Sequence, residues 1–186
     1  MALFETHGYQ VARTMVEMIR PMGPSLADAP MPEGLELHPA CAEEYRSIWD
    51  AWKEAYADHW ESMERTEEDY RRWTESRLFQ PELWKIAWDD KEVAGLALNS
   101  IDARRNEWIG IARGYTQYVF VRRPWRRRGL ARALVTSSIR MFGEMGMAET
   151  YLGVDTESPT GANVLYASLG YQPRRRHLIY RKPHEL

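Results

Sequence analysis

The sequence has a single cysteine, Cys41, in 186 residues. An intrachain disulfide is therefore excluded, which fits a reducing cytoplasm, and a thiolate metal site is disfavoured. The five histidines are scattered without helical metal-pair spacing, so no structural metal is expected. No apolar run approaches the ~18 residues that span a bilayer. The opening MALFETHGYQ lacks the charged and apolar regions of a secretory signal. No membrane association is expected. An excess of positive charge is also missing: 25 Lys and Arg against 27 Asp and Glu give a formal net charge of −2. A protein that grips nucleic acid through its phosphates carries a clear basic excess, so nucleic acid is not an expected partner.

What is present suits one soluble domain, with 44% apolar and 28% charged residues. The segment 21–34, PMGPSLADAPMPEG, is rich in proline and glycine and reads as a linker after a short N-terminal piece. LELHP (35–39) reads as a short strand. Over 42–60, Tyr45, Ile48, Trp49, Trp52 and Tyr56 fall on one face of a helix. Thr66 followed by acidic residues predicts a second helix over 66–79. Residues 82–88 and 93–101 read as a hairpin, 102–114 as a polar loop, and 115–121 as a strand. The period then changes, predicting a helix within 125–146, a strand over 149–155, a short helix over 158–170 opened by Ser158-Pro159, and one or two strands over 171–183 bent at Pro173. A strand, helix, strand unit over 115–155 predicts a parallel pair, and the strands before it an antiparallel meander. The fold class is α/β: a mixed, mostly antiparallel sheet of about six to seven strands flanked by helices.

RRPWRRRGLARAL (122–134) sets six arginines around Gly129 at a strand-to-helix junction. A helix N-terminus exposes unpaired N–H groups and attracts phosphates, and glycine lets an anion approach the backbone. Arginines at a helix start oppose the dipole unless an anion is present. The spacing Arg126, Gly129, Ala131 resembles the cofactor motif of the GNAT superfamily of N-acetyltransferases, and NVLYASLGY (163–171) resembles a second signature of that family. The resemblance covers about residues 35–186. It implies the acyl-CoA N-acyltransferase fold and acetyl-CoA as cosubstrate. It implies that the backbone of Val119, Phe120 and Val121 holds the pantetheine arm. Backbone N–H groups of Arg126, Arg127, Arg128, Gly129, Leu130, Ala131 and Arg132 would wrap the pyrophosphate. Arg123 and Arg132 reach the adenosine phosphate or face water.

Acetyl transfer from a thioester to an amine needs a neutral amine, donors for the oxyanion and a proton for the departing thiolate. Tyr166 matches the family's thiolate acid, although it also fits a tyrosine packed beside Leu165 and Leu169. The family often has an asparagine near the start of this helix, where Ser158 or Pro159 stands here; Asn163 would substitute by facing the cofactor or lie on the surface. The strand over 115–121 carries no carboxylate, so Gln117 is a substrate contact able to position a water. Glu107 and Asp155 are the nearest acids, with Asp155 also suited to capping a turn. The acidic stretch 54–69 would wall the acceptor site, with His59 and Trp60 as contacts, or form an ordinary solvated surface. The expected activity is N-acetylation of a small-molecule or peptide amine. The alternative is a CoA-binding module without catalysis.

A gapless internal likeness links LFETHGYQVARTMVEMIRP (3–21) to LYASLGYQPRRRHLIYRKP (165–183). It resembles a tandem, mycothiol-synthase-like arrangement in which 1–34 is the remnant of a preceding repeat plus linker and 35–186 the acetyltransferase domain. The competing reading of 3–21 is an amphipathic helix through Val11, Met15 and Ile19. Orphan strands from such a repeat would need a partner edge, for which a homodimer is one source.

Overall fold

The computed structural model describes residues 2–23, 25–57, 65–157 and 161–182. Its strands are β1 (Gln10–Pro21), β2 (Glu36–Leu37), β3 (Lys85–Asp89), β4 (Glu92–Ser100), β5 (Arg113–Val121), β6 (Glu149–Asp155) and β7 (Gln172–Arg181). They form one sheet in the order β2-β3-β4-β5-β6-β1-β7. Every neighbouring pair is antiparallel except β5 and β6. The expected mixed, mostly antiparallel sheet with its meander and parallel crossover is the observed one.

Helices cover both faces. On one side α2 (Tyr45–Tyr56) buries Ile48, Trp49 and Trp52 against Leu96, Leu98 and Phe120. Tyr70 and Trp73 of α3 (Glu67–Thr74) pack onto that aromatic layer. On the other side α5 (Leu130–Glu144) sets Leu130 and Leu134 against Ala87, Ala94 and Ala97, three fully buried alanines whose small side chains let the helix approach. Val135 and Ile139 continue the stripe onto Leu152 and Val154 beneath α6 (Ala162–Ser168). Gly114 completes this fit: a Cβ there would lie 2.4 Å from the Phe142 ring. No helix among the described residues is long and apolar enough to cross a membrane.

Several elements differ from the sequence expectation. After a five-residue helix α1 (Ala2–Thr6), the N-terminal segment is a twelve-residue strand rather than the short amphipathic helix of the competing reading. Alternation explains the choice: Val16 and Met18 bury on one face while β6 and β7 satisfy both backbone edges. A helix on Val11, Met15 and Ile19 would have left them exposed. The loop expected over 102–114 contains α4 (Ala103–Ile109), because the Asp102 carboxylate accepts from the Arg105 N–H and caps it. The helix over 66–79 stops at Thr74; its start is as expected, with Thr66 accepting from the Asp69 N–H and Asp69 reciprocating. The strand over 35–39 shrinks to two residues. The last helix begins at Ala162 after Gly161, and the Ser158-Pro159 start falls outside the described residues. A single final strand carries a register shift near Pro173.

Candidate active site

The sheet opens in its middle. β5 and β6 pair from Arg113 opposite Glu149 to Thr116 opposite Leu152, and no further. At the closed end the Arg113 Nε donates to Glu149 at 2.6 Å, a largely buried ion pair. At the opening a buried network fixes three elements together. Asn99 Nδ2 donates to Ser138 Oγ at 2.9 Å, Asn99 Oδ1 accepts from Thr116 Oγ1 at 2.9 Å, and Ser138 Oγ donates to the Leu134 carbonyl. Beside it β5 is bulged against β4, where Asn99 faces Thr116 but Leu98 faces Tyr118. The bulge leaves Gln117 half-buried at the mouth of the cleft.

Beyond the bulge β5 has β4 on one edge and free backbone on the other. The Arg122 N–H donates to the Ala94 carbonyl at 3.0 Å, so alternation turns Phe120 and Tyr118 toward β4. Val119 and Val121 turn their backbone groups into the cleft. The backbone of Phe120 is thus committed to β4, and its ring lies in the α2 core. Of the three residues expected along the pantetheine arm, Val119 offers both backbone groups and Val121 its N–H, the Val121 carbonyl accepting from Arg126 Nε.

The cleft ends at the arginine turn. A short 3-10 turn over Arg123–Trp125 leads to Arg127 at φ 64° and Gly129 at φ 88°, two left-handed positions around Arg128. Alternating hands of this kind curl successive N–H groups toward one point. Backbone pairing resumes at Ala133, whose N–H donates to the Gly129 carbonyl at 3.1 Å. The N–H groups of Arg127, Arg128, Gly129, Leu130, Ala131 and Arg132 find no backbone acceptor among the described residues. Open space lies where a Gly129 Cβ would stand.

Most of the arginine side chains are employed elsewhere. Arg122 bridges Glu54 at 2.8 Å and Glu92 at 3.3 Å and covers the Trp125 ring. Arg126 Nε donates to the Val121 carbonyl at 2.9 Å, closing the end of β5. Arg128 reaches the Glu33 carbonyl in the linker, and Arg132 reaches Ser168 Oγ at the end of α6. The run holds the strand, linker and last helix around the turn while the backbone stays bare.

Tyr166 is buried on α6, edge-on to Tyr171 at 5.9 Å, in the cluster against which Val119 packs. Burial raises its hydroxyl well above the usual tyrosine range, so it is protonated at neutral pH. The Tyr56 hydroxyl of α2 is raised by burial and by the neighbouring Tyr166 and Tyr118. One α6 turn before Tyr166, Asn163 ties Nδ2 to the Thr156 carbonyl at 3.2 Å, and its buried Oδ1 has no partner among the described residues. His59 and Trp60 lie outside the described residues. Glu107 is exposed on α4. Asp155 accepts from the Glu157 N–H and pairs with Arg13 at 3.7 Å, so it caps the turn after β6.

Sequence reasoning missed one carboxylate, because the N-terminal piece was set apart from the domain. Glu17 of β1 faces Gly153 of β6, two residues from Tyr151, whose ring stacks on Tyr115 at 4.3 Å. Cross-strand partners share a sheet face, so Glu17, Tyr115 and Tyr151 surround the bare Gly153. The Tyr115 hydroxyl is pushed up to about 12 by burial first, with Glu17 among the nearby charges that add to it. Glu17 has no hydrogen bond or ion pair among the described residues. No sequence signal could have brought it to this cleft, because only the pairing of β1 with β6 does so.

The chain was compared with known proteins. The family model described as the GNAT acetyltransferase family matches residues 45–171. No curated protein matches. Among solved structures, a GCN5-related N-acetyltransferase from Sphaerobacter thermophilus is 30% identical with a TM-score of 0.79 over 96% of this chain and 54% of its own. A tandem GNAT protein from the clavulanic acid biosynthesis pathway is 13% identical, with a TM-score of 0.65 over 96% of this chain and 56% of its own. The NatC complex bound to Gag peptide and CoA contains a chain 25% identical, with a TM-score of 0.56 over 72% of this chain and 82% of its own. This chain thus spans about half the length of the first two. With a matching family model over most of its length and an open sheet that ends in a bare N–H arc, the chain belongs to the GNAT acetyltransferase family.

Proposed function

We propose that the protein is an N-acetyltransferase that moves acetyl from acetyl-CoA to a primary amine of a small molecule or peptide by direct attack in a ternary complex. The observation that carries this reading is the continuity of the cleft between β5 and β6 with the unpaired N–H groups of Arg127–Arg132. The pantetheine arm would add to the Val119 and Val121 edge as a strand does. The pyrophosphate would sit on the arc. The amine nitrogen bonds to the thioester carbon, the C–S bond breaks, and the thiolate takes the Tyr166 proton. The tyrosinate is then reprotonated from solvent. Glu17 would draw a cationic amine to the far side of the cleft and take the proton that must leave before attack; the second proton leaves the nitrogen for solvent as the C–S bond breaks. The reaction belongs to a reducing compartment such as the cytoplasm, in keeping with the lone, exposed Cys41.

Thermal unfolding with and without acetyl-CoA tests the reading. Saturating ligand raises Tm, and Gly129→Asp, which puts a carboxylate where the pyrophosphate would lie, abolishes the rise. Equal stabilisation of the variant would refute the cradle. Thiol release across a panel of primary amines then separates an enzyme from a CoA-binding module, which would keep the Tm rise and release nothing.

A further inference from the structure

We propose that the acceptor is an amine that also carries a carboxylate, as an amino acid does, with Glu17 of β1 taking its ammonium and Arg105 of α4 its carboxylate. The assignment rests on the acetyl transfer proposed above and narrows the class of amine. Leu152 and Val154 of β6 bury on the α5 side of the sheet, so Tyr151 and Gly153 turn to the opposite side. That side is bare at Gly153, where nothing lies within 4 Å of the place a Cβ would take. Two groups of opposite charge flank the opening. Glu17 stands opposite Gly153 across the ladder of β1 and β6. Arg105, exposed in the first turn of α4, holds its guanidinium 5.5 Å from the centre of the Tyr151 ring. Tyr151 itself stacks on Tyr115, its partner in β5, just before the two strands part.

Both charges reach the same two hydroxyls. Burial is the main influence on the Tyr115 and Tyr151 phenols and pushes both up; after it, Arg105 draws each down and Glu17 pushes each up. Burial likewise raises the Tyr56 hydroxyl of α2, and Tyr166 and Tyr115 both add to it. The two charges therefore stand at one end of a line of phenols that reaches the proposed acid, Tyr166. An amine held between them lies on the acceptor side of the cleft.

Neither charge is neutralised within the fold. Glu17 and Arg105 form no ion pair with each other or with another residue among those described. Of the neighbouring charges, Arg113 and Arg174 share Glu149, and Asp102 gives its oxygens to Arg77. Arg175 stands opposite Glu17 on β7, again without an ion pair to it among the described residues. A simple cationic amine on Glu17 would be repelled by both free arginines. So would the terminal amine of a peptide, whose own carboxylate is far away. A zwitterion supplies both missing counter-charges at once, its ammonium to Glu17 and its carboxylate to the planar guanidinium of Arg105.

Binding and turnover are measured separately on the full chain. The probes are the common amino acids, each against its own carboxamide, which keeps the amine and removes the negative charge. In titration calorimetry with excess CoA, at least one amino acid should bind about tenfold or more tightly than its carboxamide, the size of one charge-assisted hydrogen bond. Arg105→Gln should remove that preference, Arg105→Lys should keep it, and Arg105→Glu should reverse it, none of them weakening carboxamide binding. Arg105 is exposed, so the variants should melt as the parent does. Equal binding of every acid and its amide, a preference that survives Arg105→Gln, or one that Arg175→Gln removes instead would overturn the assignment. Thiol release from acetyl-CoA across the same probes separates the two proposals. Arg105-dependent binding without release would refute the acetyl transfer and leave the zwitterion site standing. Release from amines with no preference for a carboxylate would refute the site alone.

Discussion

At the residue scale the proposed chemistry rests on Tyr166 and Glu17. Tyr166→Phe keeps the ring and its packing and removes only the proton. Turnover should fall by about 10²-fold or more, the usual size of a general-acid contribution, while the acetyl-CoA-induced rise in Tm is retained. Unchanged turnover in a thiol-release assay would remove the acid role. The pH dependence has a definite sign. Burial raises this phenol above its ordinary value, so its protonated form persists through neutral pH. The rate should show no tyrosine-linked alkaline fall below pH ~10, the unperturbed value. Because the folded state disfavours the ionised phenol, its contribution to stability is complete below that pH and is lost above it. Glu17→Gln tests the second residue. KM for cationic amines should rise about tenfold with acetyl-CoA affinity unchanged, and a flat response across the amine panel would dismiss its role. Tyr166 was legible in the sequence because its motif is local. Glu17 was not, since 132 or more residues separate it from the β6 residues that give it meaning.

Elements show how strands and helices set the opening of the sheet. Gly114 sits in β5 where Phe142 of α5 needs its space, so Gly114→Ala forces the ring or the helix to move. Overpacking of this kind should cost about 1–3 kcal/mol in urea unfolding. At the start of α4, Asp102 caps Arg105 and takes both guanidinium nitrogens of Arg77 at 2.7 Å. The arginine holds its carboxyl down, at about 2 against an ordinary 3.8. A lowered value means the contribution is complete above pH 3.8 and lost as pH falls through 2. Asp102→Ala should lose about 1 kcal/mol at neutral pH through the cap. It should also flatten the acid-side decline of stability between those two values. The sequence revealed α2, α3 and α5 through their apolar stripes and caps, but not α4. ARRNEWI buries no residue, so its periodicity carries no signal, and its cap becomes evident only with Arg77 in place.

The whole molecule depends on a strand that looked separable. β1 lies between β6 and β7, and without it β6 would be an open edge and β7 would have no neighbour. Removing residues 1–21 should abolish cooperative unfolding in circular dichroism. The milder Met18→Ala, at a buried site, should cost about 2–5 kcal/mol. A shortened chain that melts as sharply as the whole would show that β1 is dispensable. By itself the sequence determined what local spacing can determine: the alternating strands, the amphipathic helices, the glycine-centred turn and the family likeness. Each depends on residues within a few turns of one another. Tertiary structure alone decided that the N-terminal strand enters the sheet, that β5 and β6 part after Thr116, and that most of the arginines brace the turn. Register and pairing between strands more than a hundred residues apart depend on which surfaces remain uncovered once the rest has folded, and no local pattern encodes that.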